Sequence, residues 1–204
     1  MLKRFMGLAG AVLVAALLQA QISSSGPASG VSAIKATSKT ATALDLSGKS
    51  VDVFATSRGK PLVLVFVRTD CPISNRYAPT LEAMNKKYGG ESEMMLVYPD
   101  KTETAQNIQK HLTEYGYKMT AVRDPQHDLV KLSEVQITPE VAVFNGNREL
   151  IYHGRIDNWY KDFGHARSAP TTHELEEAIQ SALGNGHSAP ASVGGVGCYI
   201  SDLQ

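Results

Sequence analysis

Pro61-Leu62-Val63-Leu64-Val65-Phe66-Val67, followed directly by Arg68-Thr69-Asp70-Cys71-Pro72-Ile73-Ser74-Asn75, places a cysteine where a buried strand gives way to a helix. The first run is short, continuously apolar and rich in β-branched residues, the pattern of a strand covered on both faces. From Ser74 to Tyr88, Tyr77, Leu81, Met84 and Tyr88 recur at helical spacing, which predicts a helix. Cys71 then sits at the helix N-terminus, where unpaired backbone N–H groups and the dipole favour a thiolate over a thiol.

The segments on either side continue this alternation. Ala43 to Val53 reads as two short strands around a Ser47-Gly48 turn, followed by a loop through Arg58-Gly59-Lys60. Glu93-Met94-Met95-Leu96-Val97-Tyr98 is a second buried strand. Asp100 and Glu103 have capping-box spacing ahead of an apolar stripe of Ala105, Ile108, Leu112 and Tyr115 that stops at Gly116. Lys118 to Arg123 fits a strand and Gln126 to Glu134 a short helix. Asn145-Gly146-Asn147-Arg148 joins strand-like segments Glu140 to Phe144 and Glu149 to His153 as a hairpin. A loop from Asp157 to Ala169 follows. Thr171 and Glu174 then make a capping box for a helix through Leu175, Ala178, Ile179, Ala182 and Leu183, with Gly184 as its stop. This order predicts an α/β fold, a central mixed sheet flanked by helices.

The ends read differently. Lys3 and Arg4 precede an apolar run from Phe5 to Leu18, and Gln19-Ala20-Gln21 supplies a small residue at a cleavage point, so residues 1–20 resemble a secretory signal peptide. The run is shorter than the roughly 20 apolar residues that span a bilayer. Export to a periplasmic or extracellular space is expected, with membrane attachment only if the segment stays uncleaved. Residues 21–42 read as a flexible leader, 43–184 as the folded domain and 185–204 as a flexible C-terminal arm carrying Cys198. A formal net charge of +0 over 204 residues offers no basic face for nucleic acid, and no phosphate-cradling glycine motif is present.

With these elements placed, the chain resembles a thioredoxin-fold protein of the redoxin group, the broad AhpC/TSA and TlpA-like class. Cys71-Pro72-Ile73-Ser74 occupies the place of the thioredoxin Cys-x-x-Cys, and Pro79 matches the proline inside the following helix. Ile137-Thr138-Pro139-Glu140-Val141 is similar to the loop whose cis-proline faces the active cysteine, and Leu150 to Arg155 to the strand after the hairpin. The segment from Lys101 to Arg123 resembles the insertion that separates redoxins from small thioredoxins. The resemblance covers about Leu44 to Leu183 and implies thiol–disulfide chemistry with Cys71 as nucleophile. Thr138 and Pro139 would form the substrate platform, and Pro72, Ser74, Asn75 and Arg76 further substrate contacts. Implied partners are a protein or small-molecule disulfide, or a peroxide, together with an external thiol reductant. No cofactor and no metal are expected.

The departures sharpen this expectation. Ser74 stands where a resolving cysteine would be, so the motif is monothiol and cannot close a disulfide within itself. Asp70 places a carboxylate beside the sulfur, which opposes the thiolate, with Arg68 and Arg76 available to offset it. Typical peroxiredoxins carry a threonine three residues before the reactive cysteine; here Thr69 is two before, and the peroxiredoxin arginine near the late strand is missing. Copper-delivering relatives use Cys-x-x-x-Cys, and here Asn75 holds the second position. Cys198, beyond the Gly- and Ser-rich stretch 184–197, is the other cysteine of the chain, and the tether could bring it to Cys71 as a resolving thiol. A permanent disulfide is the competing expectation. It would close 198 − 71 = 127 residues and stabilise by roughly 5 kcal/mol in the chain-entropy model. A binding module with a structural bridge, a thiol peroxidase and a disulfide between chains all stay open. Arg155, Asp157 and Trp159 border the site or form a salt-bridged loop, and most of the six histidines are expected at the surface.

Overall fold

The computed structural model of the protein describes residues 40–201 and 203. The signal peptide and nearly all of the leader expected from sequence lie outside these residues. Seven strands form one sheet in the order β2-β1-β5-β4-β3-β7-β8. These are β1 (Thr42–Asp45), β2 (Ser50–Asp52), β3 (Leu62–Phe66), β4 (Glu93–Tyr98), β5 (Thr120–Arg123), β7 (Glu140–Phe144) and β8 (Leu150–Gly154). β3, β4 and β5 run parallel, whereas β7, β8, β1 and β2 pair antiparallel to their neighbours. The mixed sheet expected from the alternating elements is therefore present.

Period-two alternation explains why β3 is apolar at every position. Val63 and Val65 point to one face, where they meet Leu96, Val141 and Val143 beneath Ala78, Leu81 and Met84 of α3 (Ala78–Tyr88) and Leu175, Ala178 and Ile179 of α6 (Glu174–Ala182). Leu62, Leu64 and Phe66 point to the other, with Met95, Val97, Val122 and Phe144 under Val53 and Phe54 of α1 (Val53–Ser57) and Leu129 and Val130 of α5 (Asp128–Ser133). Helices on both faces give a strand no wet side, so every side chain is apolar. The remaining elements are α2 (Pro72–Arg76), α4 (Ala105–Tyr115), β6 (Ile137–Thr138), β9 (Tyr160–Asp162), β10 (His165–Ala166) and β11 (Cys198–Tyr199).

Several local expectations change. The helix expected from Ser74 to Tyr88 is broken at Tyr77 into α2 and α3. Pro79 has no N–H to donate, and its ring crowds the carbonyl four residues back, that of Asn75. The N-cap of α4 is Thr104, whose hydroxyl accepts the Asn107 N–H at 3.1 Å; Asp100 instead closes a turn on the Thr102 N–H at 2.8 Å. The capping box at Thr171 and Glu174 does not form, because both residues are drawn elsewhere. Thr171 is bound by both ends of the Asn158 amide at 2.7 Å, and Glu174 pairs with Arg155, whose Nε lies 3.0 Å away. The loop from Asp157 to Ala169 contains the small β9–β10 hairpin. His111 and His127 are buried, whereas His165, His173 and His187 are exposed and His153 is half-buried.

The tail departs furthest from its reading as a flexible tether. Its backbone runs against the domain from Ser192 to Ile200, with Arg155 N donating to Val193 O at 2.8 Å and Ile200 N to Gln136 O at 2.9 Å. β11 pairs antiparallel with β6, Cys198 opposite Thr138 and Tyr199 opposite Ile137. Ile200 is buried in the second core cluster and anchors the end of the arm. Two of the glycines that read as freedom serve as clearance: a Cβ on Gly197 would lie 2.0 Å from the Thr138 carbonyl oxygen, and one on Gly195 2.9 Å from Glu140 Cγ.

Candidate active site

Cys71 is the N-cap residue of α2 and follows β3 after the Arg68–Asp70 turn, with Pro72 at the first helical position. Its thiol is 0% exposed, and Sγ lies 3.2 Å from the Thr138 carbonyl oxygen, which accepts the S–H when the sulfur is protonated. The Thr138–Pro139 peptide is cis. Thr138 and Pro139 thus face Cys71 as the sequence resemblance implied, although the loop edge they present is covered by β11.

The tertiary fold brings Cys198 to Cys71. Both are free thiols. Burial raises the Cys71 pKa, but the neighbouring Cys198 thiol, the Ser74 side chain and the backbone N–H groups of Ser74 and Ile73 outweigh it and hold the sulfur below its ordinary value. The Ser74 hydroxyl is buried beside the cysteine and makes no hydrogen bond there. Cys198 moves the opposite way. Burial first, then its hydrogen bond to Cys71 and the charge there, push it up to about 12. The pair is therefore asymmetric: the proton leaves Cys71 more readily than Cys198. Replacing Cys198 by Ala removes the strongest opposing hydrogen bond and moves the Cys71 pKa upward. Cys198→Ser, whose hydroxyl still donates, moves it less. Thiolate absorbance titrated against pH measures both, and an unshifted curve for the Ala variant would refute the coupling.

The charges flanking the cysteine largely satisfy each other. Arg68 forks onto Asp70, Nε to Oδ1 at 3.0 Å and Nη2 to Oδ2 at 2.9 Å, and also approaches Asp100 at 3.5 Å. Asp70 is 67% exposed, so the pair contributes on the order of 0–1 kcal/mol to stability. Arg76 stacks over the Trp159 ring at 5.3 Å, and Trp159 meets Tyr77 edge-on. Asp157 accepts from the Tyr77 hydroxyl at 2.5 Å, and Arg155 pairs with Glu174, so these residues form a packed, salt-bridged loop. Asn75 points inward: its Nδ2 donates to Thr69 O at 3.0 Å and its Oδ1 lies 2.8 Å from His111 Nε2.

Two functional candidates escaped the sequence reading. His111 links Asn75 to the Tyr98 hydroxyl, 2.8 Å from Nδ1, and burial lowers its pKa. With Asn75 Oδ1 as an acceptor, the neutral ring donates from Nε2 and accepts the tyrosine proton at Nδ1. The signal was its place three residues after Ile108, on the apolar stripe of α4. Glu140 is the second. It is 5% exposed and heads a strand otherwise wholly apolar. Its Oε2 accepts Gln136 N at 2.9 Å and Ile137 N at 3.2 Å, while Oε1 accepts Gly195 N at 2.7 Å. Burying a carboxylate costs several kcal/mol, and three charge-assisted hydrogen bonds of about 1.5–3 kcal/mol each offset that cost. A charge at the head of a doubly buried strand was the available sign that a partner existed. Among the described residues, no cluster of three or more His, Cys, Asp or Glu side chains is arranged to hold a metal ion.

Comparison with known proteins adds the family. An uncharacterized conserved protein from Geobacillus kaustophilus superposes with a TM-score of 0.67 at 18% identity, covering 79% of this chain and 88% of that one. A hypothetical protein from Sinorhizobium meliloti gives 0.66 at 19% identity, covering 79% and 90%. A putative thiol:disulfide interchange protein DsbE from Chlorobium tepidum gives 0.55 at 20% identity, covering 71% and 94%. At these identities the similarity is one of fold. A comparison with curated protein sequences found no match. The Redoxin family profile matches residues 29–163, two thirds of the chain and all of the segment from β3 to the cis-proline loop; the chain belongs to the Redoxin family, whose thioredoxin-like fold supports oxidoreductase chemistry.

Proposed function

We propose that the protein is an exported thiol–disulfide oxidoreductase in which Cys71 is the nucleophile and Cys198 the resolving thiol. The observation that carries this reading is the placement of Cys198: β11 seats it opposite Thr138, whose carbonyl oxygen lies 3.2 Å from Cys71 Sγ, with the Cys71 pKa lowered and that of Cys198 pushed up to about 12. The Cys71 thiolate attacks a substrate disulfide, forming a mixed disulfide and expelling the first substrate thiolate, which takes a proton from solvent. Cys71 has then lost its charge. The hydrogen bond and the repulsion that helped raise Cys198 disappear with it, so Cys198 deprotonates more readily and attacks Sγ of Cys71. The second substrate thiol leaves, and the protein ends as the Cys71–Cys198 disulfide while the substrate ends as two thiols. An external thiol reductant restores the starting state. The asymmetry also fits the order of events, since the partner that must act second is the one held protonated first.

Thr138 and Pro139 are the platform residues in this reading, with Pro72 and Ser74 shaping the sulfur's surroundings. Asn75 and Arg76 act from behind, Asn75 on the Thr69 backbone and Arg76 on Trp159, and are not proposed to touch substrate. Export rests on residues 1–20, a periplasmic or extracellular destination suiting a dithiol that must be able to oxidise. The putative interchange protein among the fold relatives is consistent with disulfide chemistry here.

The test is to trap the intermediate. Incubated with oxidised glutathione, the wild-type protein should return as an intramolecular disulfide. Cys198→Ser should instead accumulate a glutathione adduct on Cys71, read by intact mass and peptide mapping. Failure of both proteins to react leaves a binding module as the surviving account. Peroxide consumption that requires Cys71, without disulfide exchange, would replace the substrate class with a peroxide.

A further inference from the structure

Glu140 is a buried charge that the proposed cycle does not use. One of its oxygens is spent inside the domain, on the Gln136 and Ile137 N–H groups that shape the approach to Thr138. The other is spent on Gly195 of the arm, three residues before Cys198. The other arm contacts are neutral or long: Arg155 N to Val193 O at 2.8 Å, His153 N to Ser192 Oγ at 3.4 Å, Thr138 Oγ1 to Cys198 O at 3.2 Å, Ile200 N to Gln136 O at 2.9 Å and Arg68 Nη1 to Tyr199 O at 3.5 Å. Among these contacts the arm meets a charged acceptor at Glu140.

We propose that Glu140 is a positioning residue that latches the C-terminal arm across the Ile137–Pro139 loop, holding Cys198 as the partner of Cys71 and closing the β6 edge to incoming polypeptide. The inference deepens the proposed Cys71–Cys198 cycle and rests on it. Without the arm, Oε1 loses its donor while the carboxylate stays flanked by buried backbone, so the docked arm is favoured by the charge itself. The arm also takes the ladder position that a polypeptide would need to pair with β6, a strand of two residues whose partner in the described residues is β11. Cys71, wholly covered in the docked state, becomes reachable when the arm lifts. The latch therefore sets two quantities in opposite directions: how long Cys198 stays beside Cys71, and how often outside reagents meet the sulfur.

Two full-length variants test this. Glu140→Gln keeps shape but turns an N–H donor toward one of the backbone N–H groups. Gly195→Val attacks from the arm side, where a Cβ would lie 2.9 Å from Glu140 Cγ and 3.0 Å from Pro139 O. In both, iodoacetamide alkylation of reduced Cys71 should rise about tenfold. The equilibrium of protein dithiol plus oxidised glutathione with protein disulfide plus two glutathione thiols should shift against the protein disulfide by about the same factor. Amide exchange should quicken over residues 193–200 while β3 and β4 keep their protection. Unchanged alkylation and an unchanged glutathione equilibrium in Gly195→Val overturn the latch, and that variant decides alone if Glu140→Gln does not fold. Loss of protection throughout the sheet in both variants would also overturn it, making Glu140 a folding residue. If alkylation rises tenfold but the wild-type protein never forms the Cys71–Cys198 disulfide, the latch stands and the redox cycle falls.

Discussion

Cys71→Ser should lower glutathione-coupled disulfide reduction by a factor on the order of 10³ or more, to the background of the reagents. A serine hydroxyl at this position has the same hydrogen-bond neighbours, the Ser74 and Ile73 N–H groups and the Cys198 thiol, but it does not ionise at neutral pH. The loss is therefore chemical rather than structural, and the melting temperature should stay close to that of the wild type because the side chain is replaced by one of similar size. Retained turnover in a folded Cys71→Ser protein would eliminate both the oxidoreductase and the peroxidase readings. Cys198→Ser should behave differently, reacting once to the mixed disulfide and then depending on external thiol. The two variants together separate attack from resolution.

Gly197→Val should slow closure of the Cys71–Cys198 disulfide roughly 100-fold, since a displacement of about 1 Å in a reacting pair costs that much. The substitution puts a Cβ 2.0 Å from Thr138 O and 2.7 Å from the Thr138 carbonyl carbon, both backbone atoms that have no room to yield. The arm must move instead, and Cys198 is the next residue. Gly197 has no left-handed backbone to preserve, so the effect is one of space alone. Stopped-flow oxidation of the reduced protein, with closure monitored by Trp159 fluorescence and by loss of free thiol, gives the rate. A Gly197→Val protein that closes at the wild-type rate would mean that docking of the arm contributes nothing to resolution.

How far the sequence carried the argument differs between the domain and its tail. The β3 run Leu62–Phe66 and the helix stripes were legible because burial on two faces leaves a local record: every residue apolar in the strand, one face in the helix. Cys71 at the strand–helix junction was legible for the same reason, as the elements that position it are local, whereas the placement of Thr138 and Pro139 facing it was implied by the resemblance to thioredoxin-fold proteins. Errors within the domain were of capping and continuity. Asp100, Thr171 and Glu174 had the residue types of caps, but Asn158 and Arg155, distant in sequence, compete for the last two. The break at Tyr77 was available in Pro79 and was outweighed by the apolar stripe. His111 and Glu140 left weaker signs, a histidine on a buried stripe and a carboxylate at the head of an apolar strand.

The sequence by itself determined an α/β order, a cysteine at a helix N-terminus, a motif without its local partner, and a second cysteine near the far end of the chain. Only the tertiary structure decided that Cys198 is seated beside Cys71. The physical reason lies in Gly195 and Gly197. A glycine needed for chain freedom and a glycine needed for close approach are the same residue in sequence. They are told apart only by what lies within 3 Å of the missing Cβ, here the backbone oxygens of Thr138 and Pro139 and the side chain of Glu140.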